Sequence, residues 1–318
     1  MDTISGIHHV TAICSDAQQN IDFITGVLGL RLVKLTVNFD DPFTYHLYYG
    51  DEKGRPGTIL TYFAWGGGGA ARHGVRSVEA TALAVPVGSL DWWKTHLANH
   101  NIAFTTPPAR FGEELIQFHD ADGMVYEIVA SERALSGFAW TQGGIPAEHA
   151  IRGVHSVTIA AEGFEQTAQV LTDMMGFKKG AAPSPYEPNR FRFEAGAGIG
   201  GIVDVACLPG APRSTTGTGG VHHVAFRVAD DATQGRYRVE LARANFNVSP
   251  VMDRSYFHSI YFREPGGVLF EIATDVPGFD VDENAETLGT KLKLPPQYEA
   301  YRTQIEERLA KIQLPELK

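Results

Sequence analysis

Apolar and polar positions along this chain fall into short alternating runs. Strand-like segments, rich in β-branched and apolar residues, begin at 6–13, 78–85, 153–160 and 221–228. A helical stretch follows each one, such as "SDAQQNIDFITGVLGL", where Ser15 is placed to cap the helix and Gly29 to stop it. Further alternating segments come next, among them "TYHLYYG" and "TILTYF", separated by Gly-rich turns. The pattern predicts one unit, β-α-β-β-β, about 55–75 residues long and written four times.

Residue identities carry the same repetition. The segments "HLANHNIAFTTPPARFGEELIQFHDADGMVYEIVAS" (96–131) and "ELARANFNVSPVMDRSYFHSIYFREPGGVLFEIATD" (240–275) align without a gap at a shift of 144, which sets Arg110 on Arg254 and Glu127 on Glu271. "GIHHVTAI" and "GVHSVTIA" match at a shift of 147. Residues 1–145 and 150–275 therefore read as related halves of two modules each, joined by a linker at 132–152. Residues 276–318 read as a tail, extended at first. It ends in an amphipathic helix with Tyr298, Tyr301, Ile305, Leu309 and Ile312 on the face expected to dock on the body.

Two of the four first strands carry a His-His pair, His8-His9 and His222-His223. Aligned at the third place, the strands read His9, Ala80, Ser156 and His223, so the outermost modules alone offer imidazole there. Side chains alternate across a strand, so His8 is expected to face away from His9. At the matching place of the last strand the modules read Thr61, Glu127, either Asp204 or Val205, and Glu271. Glu271 lies in the apolar run "GVLFEIA", where a carboxylate without a cation is costly. His9, His223 and Glu271 make two imidazoles and one carboxylate, the facial set associated with non-haem Fe(II).

Four βαβββ units in tandem resemble the vicinal oxygen chelate superfamily of glyoxalases, extradiol dioxygenases and drug-binding proteins. The resemblance implies an α+β fold in which modules pair into two cupped mixed sheets, with a metal held by first-strand His and last-strand Glu. Modules one and four must then pair around the metal. Modules two and three would form a second cup with Ala80, Ser156 and Glu127, unfit for an ion, and Glu127 should have a hydrogen-bonding or arginine partner instead. Glyoxalase-type lyases of the superfamily use a fourth protein ligand, and Thr61 stands in its place.

The chain is more closely similar to ring-cleaving dioxygenases of the hydroquinone-cleaving type. That resemblance rests on "IHHVTAI", "VNFDDPFTYHLYYGDEKGRPGTILTYF", "GGVHHVAFRV", "DRSYFHSIYFREPGGVLFEIATD" and "LGTKLKLPP", and covers essentially the whole chain. It implies His9, His223 and Glu271 as ligands of Fe(II), with Mn(II) able to use the same set. Arg254 and Tyr261 would assist the chemistry, and His8, Thr11, His222 and His258 are further candidates, with His46 a weaker one. The partners implied are a hydroquinone- or catechol-like aromatic and O2. Two other readings stay open: a metal-dependent glyoxalase-like lyase or isomerase, and a metal-free quinone- or drug-binding protein.

Composition narrows the surroundings. With 43% hydrophobic and 20% charged residues in 318, a sizeable core is expected. The net charge of −10 argues against nucleic acid, which needs a basic surface. Two cysteines, Cys14 and Cys207, are too few for a disulfide framework. The sequence shows no apolar run long enough to span a bilayer and no signal-peptide pattern, so a cytoplasmic protein without membrane contact is expected, with a homo-oligomer left open. The "GGGG" at 66–69 lacks the strand-to-helix setting of a phosphate loop and reads as a connection between modules.

Overall fold

The computed structural model describes residues 4–183 and 185–315. The four expected units are present in order. The first comprises β1 (Ile7–Cys14), α1 (Ala17–Ile21), β2 (Arg31–Val37), β3 (Tyr45–Gly50) and β4 (Ile59–Ala64). The second comprises β5 (Ser77–Val85), α2 (Leu90–Asn99), β6 (Phe104–Thr105), β7 (Leu115–His119) and β8 (Val125–Ala130). The third runs through β9 (Gly153–Ala161), α3 (Glu165–Gln169), β10 (Lys178–Lys179), β11 (Arg190–Glu194) and β12 (Ile202–Cys207). The fourth runs through β13 (Val221–Val228), α4 (Asp231–Arg243), β14 (Met252–Asp253), β15 (Phe257–Arg263) and β16 (Leu269–Pro277).

Within each module the last strand returns parallel to the first, as β1 with β4 and β13 with β16. Two modules then join by an antiparallel ladder between their first strands. One eight-stranded sheet has the order β14-β15-β16-β13-β1-β4-β3-β2, the other β10-β11-β12-β9-β5-β8-β7-β6. Modules one and four therefore pair, as do two and three. The core lies where both sheets bury their helix-covered faces, and β1 is buried along its whole length. Full burial on both faces is why β1 reads as a continuous apolar run broken only by its histidines and threonine.

Both joining ladders are bulged twice. In β1–β13, Ile7 opposes Phe226 and His9 opposes Ala225, leaving His8 over; Thr11 opposes His223 and Ala12 opposes Val221, leaving His222 over. In β5–β9 the extra residues are Glu79 and His155. The extra residue thus falls at the same place in all four modules. A bulge breaks the alternation of side chains and re-aims them, so the expectation that His8 and His9 face apart does not hold. Their Nδ1 atoms are 2.9 Å apart.

Other local details differ from expectation. Asp16, not Ser15, caps α1, its carboxylate accepting from the Gln19 amide. Asp16 has the extended backbone an N-cap needs, and its carboxylate is the stronger acceptor. Past α1 the chain continues as a π-helical segment over Asp22–Val27, and Gly29, at φ +68, follows where this longer helical stretch ends. In the tail, a 3₁₀ turn over Pro296–Tyr301 precedes a short α5 (Arg302–Arg308), and Tyr301 is exposed while Ile305 and Leu309 are buried. The docking expectation stands, on a shorter helix. The tail crosses module one, where the fully buried Lys34 pairs with Asp282 at 2.6 Å and with Glu283. Tyr298 Oη donates to the Phe39 carbonyl at 2.8 Å. Among the described residues no helix is long and apolar enough to cross a membrane.

The two sheets touch through Tyr62 on β4 and Tyr126 on β8, whose hydroxyls are 2.5 Å apart. Tyr126 also donates to Asp120, which accepts from the amides of Asp122 and Met124. Burial pushes the Asp120 carboxyl up to about 6. A folded pKa above the unfolded one means that the folded state holds the extra proton between about pH 4 and 6, so this group's contribution to stability falls as pH rises through that window. The difference in unfolding free energy between wild type and Asp120→Asn, followed by denaturant titration, should change across pH 4–6 and level off above about 7.

Candidate metal centre

The bulged ladder brings three distant residues to one point. His9 on β1 opposes Ala225 on β13, and Ala225 in turn opposes Glu271 on β16, so His9 and Glu271 flank one position of the central strand. His223 lies two residues before Ala225, on the same face. All three side chains are buried, Glu271 completely. His223 Nε2 stands 2.9 Å from Glu271 Oε2, His9 Nε2 stands 3.4 Å from the same oxygen, and the two Nε2 atoms are 3.4 Å apart.

These spacings are those of ligands around one ion. Bonds of about 2.1 Å at right angles put neighbouring ligand atoms roughly 3.0 Å apart, and tetrahedral angles put them roughly 3.4 Å apart. Glu271 Oε2 is buried and accepts no hydrogen bond, while Oε1 accepts from Ser259. A buried carboxylate oxygen with no donor and two imidazole nitrogens facing it fits a cation. Among the described residues this is the one group of three such side chains able to hold a metal.

Behind each front imidazole stands the other member of its pair. His222 Nδ1 is 2.7 Å from His223 Nδ1, matching the 2.9 Å contact of His8 with His9. Burial drives His223 below its ordinary value and His222 down to about 3, so these rings are neutral. When the front ring donates its Nδ1–H to the ring behind, its Nε2 lone pair is left facing the ion position.

Thr61, at the fourth-ligand place, is committed elsewhere: its hydroxyl is 3.0 Å from that of Thr11 and 2.8 Å from His46 Nε2. Arg254 and Tyr261 both line the small cavity over the triad, which measures about 30 Å³. The Arg254 guanidinium lies 5.5 Å from the Phe39 ring and 5.6 Å from the Tyr261 ring, with Asp40 at 3.5 Å. Burial pushes the Tyr261 phenol up, so it stays protonated at neutral pH.

The structure does not bring His258 to the cavity. One residue out of phase with Phe257 and Ser259, it faces the other way and pairs with Asp231 at 2.6 Å. Phe39, Tyr48, Phe63 and Phe257, which complete the cavity wall, were not singled out in the sequence, nor was Ser259. A period of two along "FHSIY" from Tyr261 reaches Ser259 and Phe257, a signal that could have found them.

The second cup shows what the same scaffold does without imidazole. Ala80 and Ser156 stand where the histidines would, and Glu127 accepts from Arg110 at 2.6 Å and Gln117 at 2.9 Å. The β9–β12 register settles the third module's place on Asp204, which pairs with Thr158 in the ladder and accepts twice from Arg192, at 2.9 and 3.1 Å. Guanidinium groups supply the positive charge that an ion would supply in the first cup.

Paired βαβββ modules that gather metal-binding side chains in the hollow of a shared sheet define the class. The family model described as Glyoxalase/Bleomycin resistance protein/Dioxygenase superfamily matches residues 6–128 and 153–272, and the chain belongs to that superfamily. MhqO of Bacillus subtilis (strain 168), which bears the name of a ring-cleaving dioxygenase, is 44% identical over 98% of both chains. A chlorohydroquinone/hydroquinone 1,2-dioxygenase of Sphingobium indicum is 33% identical, over 96% of this chain and 95% of that one. A crystal structure from Bacillus subtilis named for a dioxygenase superposes with a TM-score of 0.93 at 44% identity, covering 100% of each chain. Glyoxalase I from Zea mays shares the fold alone, with a TM-score of 0.61 at 12% identity over 85% of this chain and 92% of that one. The chain is an enzyme of the oxygenase branch.

The two cups predict opposite outcomes for loss of charge. Glu271→Gln should abolish retention of an added divalent metal ion, measured by metal analysis after dialysis. Arg110→Ala, which leaves Glu127 buried without its cation, should cost about 3 kcal/mol in a denaturant melt and leave metal content unchanged.

Proposed function

We propose that the chain is an Fe(II)-dependent, extradiol-type ring-cleaving dioxygenase acting on a hydroquinone- or catechol-like aromatic, with His9, His223 and Glu271 as the metal ligands and Mn(II) able to replace the iron. The observation that carries the reading is a three-ligand set whose fourth place is a hydroxyl already engaged by Thr11 and His46. Three facial ligands leave adjacent positions for a phenolate and O2, whereas the lyase alternative needs a fourth protein ligand. The iron would supply the coupling of the substrate's electrons to O2 that the side chains cannot perform.

The remaining residues take roles that their surroundings allow. Arg254, largely buried beside the cavity, offers a permanent positive charge to a phenolate oxygen, favouring ionisation of a phenol whose ordinary pKa is near 10. Tyr261 keeps its proton and serves as hydrogen-bond donor or acid. His8 and His222 hold the front imidazoles in the tautomer that binds metal. Phe63 and Phe257 offer apolar faces to a ring and keep water out. At about 30 Å³ the cavity holds a water or two, and an apolar site that takes benzene is about 150 Å³. A ring therefore requires the cavity to widen, and Asp40, exposed on its wall, marks a side that reaches solvent.

Oxygen uptake tests the assignment. Protein purified without O2 and loaded with Fe(II) should consume one O2 per ring opened when given hydroquinones or catechols, and Arg254→Met should lower kcat/KM by about 100-fold, the loss of a charge-assisted contact at the reacting oxygen. No uptake with any such ring under Fe(II) or Mn(II), or turnover of a thiol adduct instead, contradicts it.

A further inference from the structure

The cavity wall contains a row of buried polar groups that metal ligation does not use. Tyr48 Oη is 3.0 Å from His46 Nδ1, His46 Nε2 is 2.8 Å from Thr61 Oγ1, and Thr61 Oγ1 is 3.0 Å from Thr11 Oγ1. All four side chains are buried. The ladders fix the row: Tyr48 opposes Thr61 across β3–β4, and Thr61 opposes Thr11 across β4–β1. His46 lies two residues before Tyr48, on the same face. Both ends, Tyr48 and Thr11, line the cavity, and Thr11 opposes His223 in the central ladder.

We propose that Tyr48, His46, Thr61 and Thr11 form a proton relay between the two ends of this cavity, with His46 as its switching element. The proposal rests on the reading of the cavity as the site of a dihydroxylated ring. Its basis is a count of hydrogens. Each hydroxyl carries one proton and a neutral imidazole carries one, so four protons serve three links and one is left over. If Tyr48 donates to His46 Nδ1, then His46 Nε2–H donates to Thr61, Thr61 donates to Thr11, and the spare O–H of Thr11 faces the cavity. With every bond reversed, the spare O–H belongs to Tyr48. Burial holds His46 below its ordinary value and Tyr48 above its own, so the ring is neutral and the phenol protonated, as both arrangements require.

Passage from the first arrangement to the second moves one proton across the site. An oxygen gaining charge takes the Thr11 proton; Thr61 reprotonates Thr11, His46 Nε2 reprotonates Thr61, and Tyr48 protonates His46 Nδ1. The hydroxyl at the far end of the ring then gives its proton to Tyr48. One O–H bond breaks on the substrate, one forms on the acceptor, and no electron changes hands. The reverse transfer restores the row. Only His46 must exchange a protonated nitrogen for a bare one, and imidazole is the side chain suited to that.

His46→Gln isolates this property, because an amide keeps one donor and one acceptor and has no accessible second tautomer. Two readouts decide the matter, in wild type, His46→Gln and, should that variant fold poorly, Tyr48→Phe. With hydroquinone and O2, His46→Gln should keep its iron and a KM within about 2-fold, lose about 100-fold in kcat, and lose the multi-proton solvent isotope effect of the wild type. In 15N-histidine-labelled, Zn(II)-loaded wild type without O2, adding hydroquinone should move the His46 signals from one tautomer to the other. An unchanged kcat and isotope effect in a protein that cleaves the ring overturns the relay and leaves the dioxygenase reading intact. If no ring is cleaved at all, that reading fails, and a His46 tautomer unmoved by hydroquinone overturns the relay as well.

Discussion

The antiparallel ladder between β1 and β13 holds everything that matters for the chemistry. It joins the first strand of the chain to a strand more than two hundred residues later, and its register sets His9 beside Ala225, which the β13–β16 ladder in turn sets beside Glu271. A slip of one residue would turn every side chain to the other face and separate the two imidazoles. The bulges at His8 and His222 add a further constraint. They place a second imidazole directly behind each front one, which explains why histidine occurs in pairs at both ends of the ladder. One imidazole faces the candidate ion position, and the other lies within hydrogen-bonding distance behind it.

The comparison of the two cups turns on a single electrostatic requirement. Each retains a carboxylate on its last strand, at positions that water does not reach, and such a group needs a positive partner. In the cup of modules two and three that partner is Arg110 for Glu127 and Arg192 for Asp204. In the cup of modules one and four, Glu271 faces neutral imidazoles, and Arg254, which aligns with Arg110, turns instead toward Phe39 and Tyr261. On the proposed reading an ion would satisfy the Glu271 carboxylate and leave the arginine free for a substrate.

Most of this was legible in the sequence because repetition makes equivalent positions comparable. The gapless match of 96–131 with 240–275 set Glu127 against Glu271, and the four first strands set His9 and His223 against Ala80 and Ser156. From those contrasts came both the pairing of modules and the three residues of the candidate metal site. What was not legible depended on irregularity or on distance. Strict alternation separates His8 from His9, and only a bulge brings them together. His258 matched a position in a related family but is out of phase with the cavity face of β15. The aromatic wall of Phe39, Tyr48, Phe63 and Phe257 draws on loops and strands whose closeness no local pattern announces. The row from Tyr48 to Thr11 is likewise a product of cross-strand register, which joins three strands that the sequence lists apart.

The most direct test of a single ion gathered from both ends of the chain is anomalous X-ray scattering from a crystal of the iron-loaded protein. The account predicts one iron peak per chain, about 2.0–2.2 Å from His9 Nε2, His223 Nε2 and a carboxylate oxygen of Glu271. A peak bound without one of those three side chains, or one seated against Glu127 in the other cup, would contradict it.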